Sequence, residues 1–369
     1  MITTSIFPTR YVQGAGALAQ LPDEARRLGD TALAVVDPMV MPAVAQVATH
    51  GSIVIALEPF GGECSDEEIE RIIARARDLD ANVIIGAGGG KALDTAKAAA
   101  HALEVPVAIV PTLASTDAPC SALSVIYTAE GAFKRYLVLL RNPDLVLVDT
   151  EVIAAAPVRF LVSGMGDALS TWFEAEDCSR SGAVNMTGRP GGMTALGLAR
   201  MCYDTLLADG IAAKQACEAH KVTPAFERVV EANTLLSGLG FESGGLSGAH
   251  AIHNGLTALP ATHAFWHGEK VAIGTLALLM LTNRPKSVVA EAFDFCQAVG
   301  LPTTLADIGL SGVTDEQLHM VAELACAPGE TIHNINGHSL KGNVTPAQVV
   351  AALKAADAEG QRRHHRHAA

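Results

Sequence analysis

The sequence predicts an α/β domain with a Rossmann-like parallel sheet, followed by an all-α domain. Three observations predict it. Over residues 1–156, short β-branched runs alternate with segments of helical period, the mark of a doubly wound sheet. From about Pro157 onward the strand signal stops, and Ala- and Leu-rich segments punctuated by Gly or Pro take over. The 369 residues also exceed what one ordinary core serves. The expected division is 1–156 for the sheet domain and 157–369 for the helical one, with 362–369 an unstructured tail.

In order, the predicted strands are ALAVVD (32–37), SIVIAL (52–57), NVIIGAG (82–88) and VAIVPT (107–112). Helical patterns lie between them at 66–80 and 92–103. After Thr112 the texture changes: ALSVIYT and KRYLVLL flank Ala129-Glu130-Gly131-Ala132, which reads as a hairpin turn. LVLVD (145–149) is one more strand. The helical domain is expected to use 157–178, 193–220, 223–258, 267–283, 287–299, 315–327 and 345–358.

A formal charge of −13 excludes nucleic acid and anionic membrane as partners, since both need clustered Lys and Arg. Seven cysteines are scattered and never form C-x-x-C, so neither a disulfide framework nor a structural zinc knuckle is expected, and a reducing cytoplasm fits. The first residues, MITTSIFPTRYVQG, lack the basic and apolar regions of a signal peptide. The longest apolar run, Val271 to Leu281, is too short to span a membrane.

The stretch GAGGGKALDTAK (86–97) follows a strand and opens a helix. Glycines 88, 89 and 90 let backbone N–H groups approach a phosphate, and the helix N-terminus favours negative charge there. It is neither a Walker loop, because Ala92 follows Lys91, nor a regular G-x-G-x-x-G. Asp37 ends an earlier strand, where a carboxylate suits ribose hydroxyls; it also suits a turn before Pro38. It precedes the loop instead of following it, so the dinucleotide fingerprint is permuted. A third stretch, PTLASTDAPCSALSVIY (111–127), collects Thr112, Ser115, Thr116, Asp117 and Ser121 past a strand end, the edge where open α/β sheets bind ligands. Ordinary turn chemistry is the alternative reading.

Thirteen histidines include four in one short span, GAHAIHNGLTALPATHAFWHGEK (248–270). His250 and His253 are i, i+3 on a predicted helix and share a face. His267 opens the next helix, where the imidazolium form is disfavoured and a neutral ring is left to bind a cation. SGMGDALSTWFEAE (163–176) offers Asp167 as an acid, although spacing alone does not select it.

The motifs PFGGECSDEEI, GGGKALDTAKA, PTLASTDAPCSALSVIY, GMGDALSTWFEA, SRSGA, GFESGGLSGAHAIHNGLTA and HGEKVA together resemble the zinc-dependent glycerol dehydrogenase branch of the iron-containing (group III) alcohol dehydrogenases. The resemblance runs from YVQGAGAL to AADAEGQR. It implies the two-domain fold shared with dehydroquinate synthase, and zinc held by Asp167, His250 and His267, which also face the substrate. It implies NAD contacts at Asp37, Gly88, Gly89, Gly90, Lys91, Asp94, Thr112, Ser115, Ser121, Leu123 and Tyr127. It places Asp117 by the bound polyol as a catalytic residue, and a cytoplasmic homo-oligomer, an octamer, is expected. Iron-binding relatives carry a further histidine one turn after the ligand aspartate; here that position is Thr171. His253 is not a family ligand and reads as a proton-handling or pocket residue, or as a structural one. The role of His263 stays open.

The reaction so implied is NAD-dependent oxidation of glycerol to dihydroxyacetone. A related dehydrogenase for another 1,2-diol or a simple alcohol is the alternative within the same chemistry. A dehydroquinate synthase-like lyase needs basic residues for a substrate phosphate, and residues 241–270 supply only Lys270. A non-catalytic NAD sensor would have no use for an open metal site.

Overall fold

The computed structural model describes residues 2–335, 340 and 343–367. The chain forms two compact units. The first comprises Ile6–Pro157 together with Ala216–Leu235; the second comprises the chain up to Ser5, Val158–Gln215 and the chain from Leu236 on.

The first unit is built on a six-stranded parallel sheet. Its strands are β1 (Tyr11–Gly14), β2 (Thr31–Val36), β3 (Val54–Pro59), β4 (Val83–Gly88), β5 (Val107–Pro111) and β8 (Leu145–Asp149), in the order β1-β8-β5-β4-β2-β3. β4, β5 and β8 are buried along their whole length and read as continuous apolar runs, as strands covered on both faces must. β1 escapes sequence reading because all four of its residues are only half-buried and its side chains show no apolar run. β6 (Leu123–Tyr127) and β7 (Phe133–Val138) form the expected hairpin as a separate antiparallel pair. The crossover helices are α1 (Leu21–Arg26), α2 (Met41–Ala48), α3 (Asp66–Asp78) and α4 (Gly90–Leu103), and α5 (Thr150–Ala155) follows the last strand.

The topology marks where a ligand belongs. The chain leaves β2 toward β3 and leaves β4 toward β5, in opposite directions across the sheet. The switch point therefore lies between the adjacent strands β2 and β4, beyond their carboxyl ends. Asp37 and Gly88 stand there.

In the second unit the predicted helices are present: α6 (Val158–Ser181), α7 (Met193–Glu218), α9 (Ser237–Gly244), α10 (Gly248–Leu256), α11 (His267–Leu281), α12 (Lys286–Val299), α13 (Asp315–Ala325) and α14 (Pro346–His367). The expected single helix over 223–258 is three. α8 (Pro224–Glu231) runs through a π-turn at Ala232–Leu236 into α9, and the chain then breaks before α10. Gly245 makes the break: it takes a positive φ of 104° and its N–H closes on the Phe241 carbonyl at 2.8 Å. The tail is a second correction. α14 continues to His367, because Glu359 accepts from both Arg362 and Arg363 one turn on, and His364 Nε2 meets Thr303 Oγ1 at 2.9 Å. Residues 368–369 lie outside the described residues.

α11 is buried on nearly every side, as expected of a helix without a polar face. Small residues let its neighbours touch its backbone. A Cβ at Gly268 would lie 1.7 Å from the Ser163 carbonyl oxygen of α6, and one at Gly274 would lie 2.3 Å from the Ala249 carbonyl oxygen of α10. These backbone contacts bring the helices carrying Asp167, His250 and His267 together. Gly268→Ala is accordingly expected to cost about 3 kcal/mol or more, read by denaturant unfolding, because backbone atoms cannot yield as a side chain does. A loss under about 0.5 kcal/mol, the size of an ordinary surface substitution, contradicts this packing.

Candidate active site

α6 is long, and Asp167 sits well inside it, fully buried at 0% exposure. α10 supplies His250 from its first turn, and His267 is the first residue of α11. Asp167 Oδ1 lies 3.3 Å from His250 Nε2 and 3.2 Å from His267 Nε2. The three ligand atoms lie within 4.8 Å of one another. Burial by itself raises the Asp167 pKa, but the nearness of His267 and His250 outweighs it and holds the carboxyl well below the usual range.

A fourth residue joins them. Glu174, two turns after Asp167 on α6 and fully buried, places Oε2 2.6 Å from His250 Nδ1. Its Oε1 accepts from the backbone N–H of Ser247 at 2.8 Å and of His250 at 3.2 Å. Burial opposes charge on His250, yet Glu174 and Asp167 outweigh it and raise its pKa well above the usual imidazole value. Two buried carboxylates thus call for positive charge at one spot, which a proton or a divalent cation supplies. One carboxylate and two imidazole nitrogens are a zinc-type donor set, and a carboxylate behind one imidazole is its usual support. The residues fit a divalent cation.

His253 stands beside this set and outside it. Its ring centroid is 4.2 Å from that of His267 and 6.5 Å from that of His250. Burial, then His267 and Lys270, push its pKa well down, so the ring is neutral. Its Nδ1 meets Asn254 Oδ1 at 3.2 Å, while Asn254 Nδ2 donates to Glu330 Oε2 at 3.3 Å. His263 does something else: its Nε2 lies 2.9 Å from the Thr257 carbonyl, tying down its own loop.

In the first unit the structure gathers Asp37, Gly88, Gly89, Gly90 and Thr112. The Asp37 N–H donates to Ala87 O at 2.8 Å, and the Thr112 N–H donates to Gly88 O at 3.1 Å. Gly88 has φ +150°, and a Cβ there would come 2.8 Å from Asp37 Cβ, so only glycine lets these strand ends meet. Gly89 caps α4 and Gly90 opens it; a Cβ at Gly90 would meet nothing within 4 Å, which leaves the helix N-terminus open to an anion.

The other candidates are placed differently. Lys91 Nζ pairs with Glu63 Oε2 at 2.5 Å and lies 4.8 Å from the centre of the Tyr127 ring. Asp94 is buried: Oδ1 meets Lys97 Nζ at 2.9 Å and Oδ2 accepts from the Val125 N–H at 2.9 Å. Ser121 Oγ donates to Ala118 O at 3.0 Å, and the Leu123 carbonyl accepts from Lys97 Nζ at 2.6 Å. Ser115 is half-buried and Asp117 buried, both in the loop after β5. Sequence reading missed Glu174, Lys97 and Asn233, whose Nδ2 donates to the Ala114 carbonyl at 3.0 Å. The i, i+7 spacing of Asp167 and Glu174 and the i, i+3 spacing of Asp94 and Lys97 were available signals. Asn233 had none, since it comes from a π-turn remote in sequence.

Among known proteins, the family model "iron-containing alcohol dehydrogenase" matches residues 8–150. The chain is 60% identical over 366 residues to a glycerol dehydrogenase of Thermotoga maritima, covering 98% of this chain and 99% of that protein. It is 52% identical over 359 residues to a glycerol dehydrogenase of Escherichia coli, 96% of each chain. The crystal structure of glycerol dehydrogenase from Schizosaccharomyces pombe superposes with a TM-score of 0.94 at 40% identity, covering 100% of this chain and 93% of that one.

Proposed function

Because the chain belongs to the glycerol dehydrogenases of the iron-containing alcohol dehydrogenase family, we propose that it oxidises glycerol to dihydroxyacetone and passes the hydride to NAD. The observation that carries this reading is the convergence of Asp167, His250 and His267 within 4.8 Å.

Those three residues would hold a divalent cation, with zinc favoured over iron. One turn after Asp167 stands Thr171, whose Oγ1 hydrogen-bonds Ser237 Oγ at 2.8 Å, so no further nitrogen ligand comes from that position. A cation held there supplies the Lewis acidity that makes an alcohol proton easier to lose at neutral pH. With only these three side chains as its ligands, the site would leave room for a substrate beside the cation, as catalytic sites require, and a 1,2-diol would offer two adjacent oxygens. The Asn254 oxygen facing Nδ1 of His253 assigns that nitrogen the proton, which leaves Nε2 as a lone-pair acceptor for the released one. Asp117 is read as orienting a hydroxyl of the polyol. The N-terminus of α4 at Gly89, Gly90 and Lys91 would take the pyrophosphate, and Asp37 the ribose hydroxyls, which repels a 2′-phosphate and favours NAD.

Among the described residues no helix is long and apolar enough to cross a membrane. The cysteines are free and six are buried, which fits a reducing cytoplasm. A homo-oligomer, octameric by family resemblance, belongs to the same proposal.

Initial rates of NAD reduction across glycerol, 1,2-propanediol, 1,3-propanediol and ethanol, with and without a chelator, test the reading. The two vicinal diols are expected to lead by about tenfold or more, one well-made extra interaction being worth about 1.4 kcal/mol. Chelator is expected to remove the activity and added zinc to restore it. Equal rates on 1,3-propanediol, or chelator-resistant turnover, overturn it.

A further inference from the structure

His250 can ligate a cation only if its Nε2 carries a lone pair, and an isolated imidazole places its proton on either nitrogen. The surroundings of His250 remove that freedom. We propose that Glu174 is a positioning residue that selects the Nδ1–H tautomer of His250 and thereby sets the affinity of the cation site. The inference rests on the reading of Asp167, His250 and His267 as that site.

The geometry carries it. Glu174 Oε2 lies 2.6 Å from His250 Nδ1, and an ionised carboxylate only accepts, so Nδ1 must donate. When the ring gives up its second proton to admit a cation, the lone pair therefore falls on Nε2, the nitrogen 3.3 Å from Asp167 Oδ1. The other oxygen of Glu174 is held by two donors that cannot reverse, the N–H groups of Ser247 and His250 at 2.8 and 3.2 Å. One carboxylate therefore fixes both the helix end that carries His250 and the proton on its ring. Ser247 is itself pinned: its Oγ donates to Asp177 Oδ2 at 3.1 Å, its carbonyl accepts from Thr331 Oγ1 at 2.7 Å, and Arg284 Nη2 holds Asp177 Oδ1 at 2.6 Å. The carboxylate has no room to exchange its partners.

Glu174→Gln separates tautomer selection from simple structural support. The amide has the same shape. Its oxygen must stay on the two backbone N–H groups, so its NH2 faces Nδ1 and the ring proton moves to Nε2, where it occupies the cation's place. Glu174→Ala removes the partner without imposing a tautomer. Zinc affinity is measured by chelator competition on the metal-free full chain, alongside the melting temperature of each metal-free variant. Outer carboxylate partners are typically worth about 10–100-fold in metal affinity. We expect Gln to fall near the upper end, about 100-fold, and Ala nearer 10-fold, with metal-free Gln melting as the parent does. A purely structural role predicts the reverse order, because Ala leaves a void and two unsatisfied N–H groups. Zinc binding by Glu174→Gln within about threefold of the parent, or weaker binding by Ala than by Gln, overturns the assignment; the ~100-fold scale makes both resolvable. Should Ala not fold, Gln against the parent decides. A parent chain that binds no zinc instead overturns the cation site, a separate and recognisable outcome.

Discussion

Asp167→Asn is expected to empty the cation site and lower kcat/KM for glycerol by about 10³-fold or more, roughly 4 kcal/mol of transition-state stabilisation. The substitution keeps the shape of a side chain that is fully buried inside α6, so the fold has no steric reason to change. What it removes is the negative charge whose Oδ1 lies 3.3 and 3.2 Å from the two imidazole nitrogens. Two neutral imidazoles alone bind a divalent cation far less well than the same pair with a carboxylate, and the amide also points a poor ligand at the site. Metal content per chain after dialysis and initial rates with NAD are the measurements. A variant that keeps stoichiometric metal and the parental rate would refute the role given to Asp167.

The second large effect is expected in the other unit, at a residue with no reactive role. Lys97→Met should destabilise the first unit by about 3–5 kcal/mol, since breaking a buried ion pair leaves an uncompensated charge. The Lys97 side chain has 0% exposure and its Nζ lies 2.9 Å from Asp94 Oδ1. The same ammonium donates to the carbonyls of Ala118 at 3.1 Å and Leu123 at 2.6 Å, so it ties α4 to the loop that holds Asp117 and Ser121. The KM for NAD should rise with the loss of stability, because that loop carries proposed cofactor contacts. Adding Asp94→Asn should recover part of the loss, as partners in one network are not additive. Denaturant unfolding that moves by less than about 1 kcal/mol in Lys97→Met would show that the pair is not needed.

Much of the fold was legible for a simple reason. Strands buried on both faces must be apolar throughout, so β4, β5 and β8 announce themselves, while β1, half-buried at a sheet edge, does not. The helices of the second unit follow from Ala- and Leu-rich composition. Their ends were less legible: Gly245 breaks the 223–258 segment through one positive φ, and α14 runs on into the basic tail through pairs with Glu359. The candidate site divides the same way. Spacing pointed to His250 and His267 but not to Asp167, which the family resemblance alone implied. Glu174 and Lys97 went unread because buried charges are recognised by their partners, and partners are set by packing.

Local chemistry along the chain determined that there would be a glycine-lined helix N-terminus after a strand, an acid ending an earlier strand, and imidazoles on two successive helices. These depend on neighbours within a few residues, and periodicity records them. Only the tertiary structure decided that α6, α10 and α11 touch backbone to backbone at Gly268 and Gly274, which brings one carboxylate within 3.3 Å of two rings. It also decided that a glutamate, and not a solvent molecule, holds the far side of His250. The contacts of Asp167 with the two rings join residues about 80 to 100 positions apart, and no local pattern encodes them, because they arise when apolar faces are buried against each other.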